Sequence, residues 1–352
     1  MWIVAPTALA IVGALAYGLY QGAVLLLDSQ NRTGKPVDVN DTIKTTVTVL
    51  TLIGAVLTGI YAYRKQLLAE GDSRRADASQ LADRYSTAAE QLGHEQAAVR
   101  LAGVYALARL ADDWPEQRQV CIDVLCAYLR MPYETDRMES GFKAGEREVR
   151  LTIIRSINDH LQEATAPTTW CGLQLNFTGA TFDGGDFQGA VFTGKVDFQG
   201  ARFVGGTTSF DGAWFASSLV TFSDAQITGG EVTFKFAKFI DGTVSFQDSQ
   251  FTGGEVSFAG AQLFGGLVIF SEAQFTHSQV LFFGTEFMGS GVSFRGAEFA
   301  SCGVAFLFAK FTAGSLTFHG VRVTDSDVDF LNACVASAAR IDWGPFPAIP
   351  PS

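Results

Sequence analysis

The residues best suited to chemistry in this chain are a glycine-flanked lysine, four histidines, five cysteines and two short aspartate runs. Gly189-Ala-Val-Phe-Thr-Gly-Lys195 has the outline of a phosphate-cradling loop, whose backbone N–H groups hold phosphate while the lysine reaches it. Val196 stands where such a loop needs Ser or Thr, and no helical pattern comes after it, so no nucleotide site is expected. His94, His160, His277 and His319 are scattered, without the i, i+4 pairing of a zinc helix or the partners of a catalytic triad, and are expected at the surface. Asp112-Asp113 and Asp325-x-Asp327-x-Asp329 lack the glycine and closing glutamate of a calcium loop. Cys121, Cys126, Cys171, Cys302 and Cys334 are odd in number and show no CxxC spacing, so they read as reduced, buried thiols in a cytosolic setting. The sequence therefore assigns no catalytic, cofactor-binding or metal residue, and no catalysis is expected.

What must position any surface of interest is set by composition. The chain has 352 residues, long enough for two or three structural units. Its net charge of −11 argues against direct nucleic-acid binding, which needs clustered Lys and Arg. Only 17 % of residues are charged while Gly reaches 37 and Phe 30, a bias that points to repetition.

Residues 1–27 carry no charged side chain, and neither do residues 45–63 between Lys44 and Arg64-Lys65. Both runs are long enough to cross a bilayer, so a two-helix transmembrane hairpin is expected over about 2–27 and 45–63. The first run lacks the basic start of a secretory signal. Arg64, Lys65, Arg74 and Arg75 after the second run place both termini in the cytoplasm, a multi-pass arrangement. Gly18-x-x-x-Gly22 suits either close helix approach or a lipid-facing surface.

Helical spacing over 66–165 predicts an α-helical module with helices near 73–92, 96–112, 115–130 and 147–163. Leu101, Val104, Tyr105 and Ala108 form one apolar face, Val120, Val124, Leu125, Tyr128 and Leu129 another, and Val149, Ile153, Ile157 and Leu161 a third. Residues 96–111 resemble a helix of a HEAT-type or armadillo-type repeat; a small bundle shielding the open end of the C-terminal half is the alternative.

From Phe177 onward, Phe recurs five residues apart, and from Phe210 the intervals alternate five and seven, through Phe215, Phe222, Ile227, Phe234 and Phe239 to Phe318, Val323 and Phe330. The unit is twelve residues long. Two residues before most of these positions sits a small or β-branched residue, such as Ala213, Ala225, Val220 or Val232. Residues two apart on an extended segment face the same way, so each element sends one large and one small side chain inward. The seven-residue intervals often insert Gly-Gly, as at Gly205-Gly206, Gly229-Gly230, Gly253-Gly254 and Gly265-Gly266, where corners with positive φ are expected.

This pattern over 172–336 resembles the pentapeptide-repeat family. The resemblance implies a mainly β fold, a right-handed quadrilateral β-helix of four pentapeptides per coil, preceded here by the helical module and the transmembrane hairpin. A coil of about 24 residues rather than 20 is expected from the doubled unit, giving six to seven coils, with a Pro-containing tail over 337–352. The expected role is a membrane-anchored scaffold of bacterial type, held in the lipid bilayer by 2–27 and 45–63, that presents a rigid acidic solenoid to an unknown cytoplasmic protein partner; a homo-oligomer is compatible with this. Some members of the family imitate DNA and bind a topoisomerase such as gyrase, and the fifteen acidic against seven basic residues of 172–336 permit that alternative.

Overall fold

The computed structural model of the chain describes residues 14, 17–25, 28–29, 39–216 and 219–350. Residues 1–80 and 81–352 form two compact units. In the first, helix α1 (Val39–Leu92) begins. Its segment Ile43–Leu68 is long and apolar enough to cross a membrane, and Leu52, Ile53, Val56, Leu57 and Ile60 are exposed along it. The expected hairpin is not shown: residues 2–13 lie outside the described residues, and Ile43–Leu68 is the one such helix among those described. The separate helix expected from residue 73 is instead the continuation of α1, since no proline interrupts 64–92 and Leu67, Leu68 and Glu70 are strong helix formers.

In the second unit, the end of α1 joins α2 (Ala97–Asp113), α3 (Arg118–Arg130) and α4 (Glu146–Asp159) around a small core. Pro115 opens the short 3-10 turn before α3, where its missing N–H is no loss. Gly103 permits the contact between α2 and α1, because a Cβ there would lie 2.5 Å from the backbone nitrogen of Leu92. Val149, Ile153, Ile157 and Leu161 are fully buried as the spacing predicts. Tyr105 and Val120, assigned to apolar faces from sequence, point outward; Gly103 and Leu107 replace the first, Cys121 and Ile122 the second. α3 and α4 pack on the first strands of the solenoid, with Ile154 resting against Gly185.

The rest is a β-solenoid of about seven turns. Its strands are two to eight residues long and pair only in parallel with the coil before and the coil after, in register apart from local shifts near Asp183, Phe264 and Met288. Leu175 pairs with Val196, an offset of 21, whereas Leu219 pairs with Thr243 and Thr243 with Leu267, a constant offset of 24. The doubled twelve-residue unit is therefore one coil. Phe, Ala and Val at the inward positions are almost wholly buried. Two columns of Phe rings run unbroken through the middle of the tube: Phe198, Phe222, Phe246, Phe270 and Phe294 stack 4.6–4.8 Å apart in one, and Phe210, Phe234, Phe258 and Phe282 stack 4.8–5.0 Å apart in the other. Ser249 and Thr285 replace alanine at two inward positions, and each hydroxyl donates to a backbone carbonyl, Phe222 at 2.7 Å and Phe258 at 2.8 Å.

The Gly-Gly corners divide their labour. Gly206, Gly230 and Gly254 have positive φ, whereas their predecessors Gly205, Gly229 and Gly253 do not; at Gly265-Gly266 both do. Two terminal details depart from the sequence reading. Val323, in a Phe slot, is exposed because its coil is the last on that face. Residues from 337 on, read as a tail, supply strand Ala339–Asp342 and then lay Trp343 and Phe346 edge-on or tilted against Phe330, 5.3 and 5.8 Å away.

Candidate functional site

The fold scatters the residues singled out from sequence. Residues 189–195 run through a turn, strand Val191–Phe192 and the start of strand Lys195–Asp197, with no helix after them. Phe192 is core, and Lys195 pairs with Asp197 at 3.6 Å, so this segment is solenoid wall. His160, expected at the surface, is largely covered: its ring stacks on Trp170 at 4.2 Å and its Nε2 lies 3.1 Å from Asp112. Asp113 pairs with Arg84 at 2.7 Å. Among the described residues, no group of three or more His, Cys, Asp or Glu side chains is arranged to hold a metal ion. All five cysteines are free; Cys121, Cys126 and Cys302 are buried, but Cys171 is half-buried and Cys334 exposed, because the face of the last coil leaves Cys334 pointing outward.

Once the inward positions are assigned to the core, the outward ones remain. Each coil makes two tight turns closed by an i to i+3 backbone hydrogen bond, as from Ala213 to Phe210 and Ala225 to Phe222. The third residue of each turn has positive φ, as in a type II turn. Stacked coils line these turns into two edges. Along one edge the third residues are Gly200, Asp224, Asp248, Glu272, Gly296 and Gly320, a polar and partly acidic series.

Along the other edge they are Gly212, Phe236, Gly260, Gly284, Phe308 and Asn332. A bulky residue with positive φ is a genuine outlier, and the conformation costs roughly 1–2 kcal/mol against Gly. Phe236 (φ 59°) and Phe308 (φ 56°) both adopt it while pointing their rings outward, 70 % and 49 % exposed. The ring of Phe236 lies over Gly260, where a Cβ would come within 2.7 Å of it. Phe283, 51 % exposed, meets Phe308 at 5.4 Å, and Leu331, 61 % exposed, extends the row. This apolar edge runs about 19 Å over five stacked turns at the spacing of neighbouring strands.

A model of pentapeptide repeats, in nine copies, matches residues 173–208 and 187–237. The solenoid is a pentapeptide-repeat domain. No curated protein and no solved structure matches the chain.

Cations and carboxylates flank the apolar edge of the pentapeptide-repeat domain. Lys235 donates to Glu231 at 2.7 Å, which raises its pKa, and Lys310 donates to Glu286 at 2.9 Å. The bond from Lys310, with a second from Gln262, holds the Glu286 carboxyl below the ordinary carboxylate range. Lys238 lies over the ring of Trp214, 4.5 Å from its centroid. The sequence signal for the edge was a second aromatic placed one or two residues after an inward Phe, as in Phe234-Lys-Phe236, Phe282-Phe283 and Phe306-Leu-Phe308. It is easily lost inside a ladder of the same residue.

Proposed function

We propose that this chain is a membrane-tethered scaffold that binds a protein partner along the apolar edge of its pentapeptide-repeat domain and carries out no catalysis. Solenoids of this kind commonly act as protein-interaction scaffolds. The observation that carries the reading is the row Phe236, Phe283, Phe308 and Leu331, where large apolar side chains stand in water and two of them occupy backbone that disfavours them. Locally unfavourable geometry retained on a surface points to use of that surface. The partner contact is a hydrophobic one, rimmed by the Lys235–Glu231 and Lys310–Glu286 pairs. Anchoring is assigned to Ile43–Leu68, whose exposed apolar surface suits lipid, and Arg64 and Lys65 just beyond the charge-free stretch favour a cytoplasmic solenoid.

The test is a photo-crosslinking residue at Phe283 in the full-length chain, activated in intact membranes. One discrete protein adduct, lost in the F236N/F308N double variant, is expected. An adduct pattern indifferent to that double variant would move the partner elsewhere, and recovery of the full-length chain in the soluble fraction would remove the anchor.

A second reading, a DNA-imitating binder of a topoisomerase such as gyrase, draws support from Asp224, Asp248 and Glu272 on the opposite edge. Their carboxylates cover only about 10 Å at strand spacing, and Arg295 and His319 continue the same edge. Inhibition of gyrase supercoiling by the chain, abolished on neutralising those three acids, would favour it over the scaffold.

A further inference from the structure

The solenoid carries its exposed apolar side chains on one side. Among the described residues, every exposed large apolar side chain of the solenoid except Val323 lies on the sheet face containing strand Gln262–Phe264 or at the two margins of that face. The edge of Phe236, Phe283 and Phe308 is one margin. The other carries Phe264 and Leu267, 38 % and 50 % exposed.

Between the margins runs one outward column, aligned coil by coil through the strand pairing: Trp214, Lys238, Gln262, Glu286 and Lys310. Neighbours within it already interact. Lys238 covers the Trp214 ring, and Gln262 and Lys310 both donate to Glu286, at 3.2 and 2.9 Å.

Read outward from Gln262, the two halves of this column complement each other. A cation and then an aromatic ring stand on one side, Lys238 and Trp214; an anion and then a cation stand on the other, Glu286 and Lys310. A copy turned about a two-fold axis along strand Gln262–Phe264 presents the column in reverse. Lys238 then meets Glu286, and Trp214 meets Lys310 in a cation–π contact. Gln262, whose amide both donates and accepts, meets itself, as does Phe264. At the margin Phe283 comes opposite Phe236, and Phe308 opposite Gly212, which leaves room for its ring.

Other arrangements lose this match. Copies running in the same direction set Lys238 against Lys238 and Glu286 against Glu286, and like charges facing across an interface repel. Sliding one antiparallel copy by a single coil sets Lys238 against Lys310 in one direction and Trp214 against Glu286 in the other.

We propose that this face binds a second copy of the chain, antiparallel, about a two-fold axis lying along strand Gln262–Phe264. The assignment rests on the scaffold reading above, since it names the partner that the apolar edge meets. Every contact off the axis is made twice, as in any isologous pair. The five coils span about 19 Å, so the contact lies at the small end of interface sizes and suits chains concentrated in one membrane.

The test is crosslinking of the full-length chain in membranes, with sedimentation in detergent micelles to quantify self-association. Gln262→Cys places a thiol on the axis. Facing sheets lie about 10 Å apart, too far for a direct disulfide, so the reagent is a short bis-maleimide, and a covalent homodimer is expected. The wild-type chain is the control: its exposed Cys334, three coils from the axis, stands about 29 Å from its counterpart and should give no homodimer. Lys238→Glu or Glu286→Lys alone should weaken self-association at least about tenfold, because the pair occurs twice. The double reversal K238E/E286K restores opposite charges across the axis and should recover it; both side chains lie on the outer face, so neither change touches the core. Failure of the double reversal to recover association would overturn the register. A wild-type homodimer linked through Cys334 would place the contact at the C-terminal coil and overturn the proposal. So would protection of the introduced thiol from a water-soluble maleimide without any homodimer, which would assign the face to lipid or to another protein. In that case a foreign adduct at Phe283 that depends on Phe236 and Phe308 would leave the scaffold reading standing without the second copy.

Discussion

The ring of Phe210 stands edge-on to that of Phe222, with centroids 5.8 Å apart and planes at 90°. Each also stacks on its counterpart one coil further on, Phe210 on Phe234 at 4.9 Å and Phe222 on Phe246 at 4.7 Å. The two columns therefore lock each other, since a ring that turns in one loses contact in both. Edge-to-face pairs add roughly 0.5–1.5 kcal/mol beyond the area they bury.

Phe222→Ala is expected to destabilise the protein by about 3–5 kcal/mol, the range for an aromatic deleted from a close-packed core. Phe222→Leu should lose less, because it keeps most of the volume and forfeits mainly the ring geometry. Urea titration of the purified chain compares the two; equal losses would show that ring orientation contributes nothing.

The corner glycines make a sharper prediction. A Cβ on Gly230 would sit 2.2 Å from the carbonyl oxygen of Gly206, and one on Gly254 equally close to that of Gly230. With φ of 75° at both, Gly230→Ala combines a backbone clash with strain and is expected to cost more than the roughly 1–2 kcal/mol of left-handed strain alone. Gly200→Ala, with φ of 63° and open space around its Cβ, isolates the strain for comparison. A larger drop in melting temperature for Gly200→Ala would contradict this.

Phe308→Asn should leave stability unchanged or raise it by up to about 1 kcal/mol, because Asn accepts positive φ more readily. Thermal unfolding checks it, and a marked loss would mean that the exposed ring is held for stability rather than for recognition.

The cysteines separate by environment. Burial pushes the Cys121 thiol up to about 11 and Cys126 up to about 12, from an ordinary value of 9.0. At pH 8 a maleimide should modify Cys334 quickly, Cys171 slowly and these two hardly at all, as read by mass spectrometry of peptides. The fold favours the protonated thiols, so their contribution to stability is complete below about pH 9 and is lost as pH rises through 11 to 12. Circular dichroism at 222 nm should accordingly report loss of helix on alkaline titration, and less of it in C121A/C126A. An identical alkaline midpoint in that variant would place the sensitivity elsewhere.

Much of the solenoid was legible in the sequence because its core is written in one dimension. Val220 and Phe222 face inward for a local reason, the two-residue alternation of an extended segment, and coil length comes from their recurrence. The helical module lacks that redundancy: Tyr105 points outward and Gly103 inward because α2 presses on the end of α1, a contact between segments that no periodicity encodes. The pairing of Arg100 with Glu146 was invisible for the same reason, as it joins two separate helices, α2 and α4. Trp343 and Phe346 read as part of a Pro-containing tail because nothing nearby in sequence indicates the open coil on which they close.

The constant offset of 24 also bears on how such a molecule changes length. Between Leu219 and Thr317 each coil ends on nearly the same backbone pattern with which the next begins, so a coil duplicated or excised whole within that span leaves the helices at one end and Trp343 at the other facing surfaces they already fit. Length is then a property that unequal recombination can adjust in single steps of about 4.8 Å. A step that copies or removes the coil bearing Phe236 or the one bearing Phe308 changes the aromatic edge with it, so there the reach of the molecule and the extent of its contact surface are inherited together.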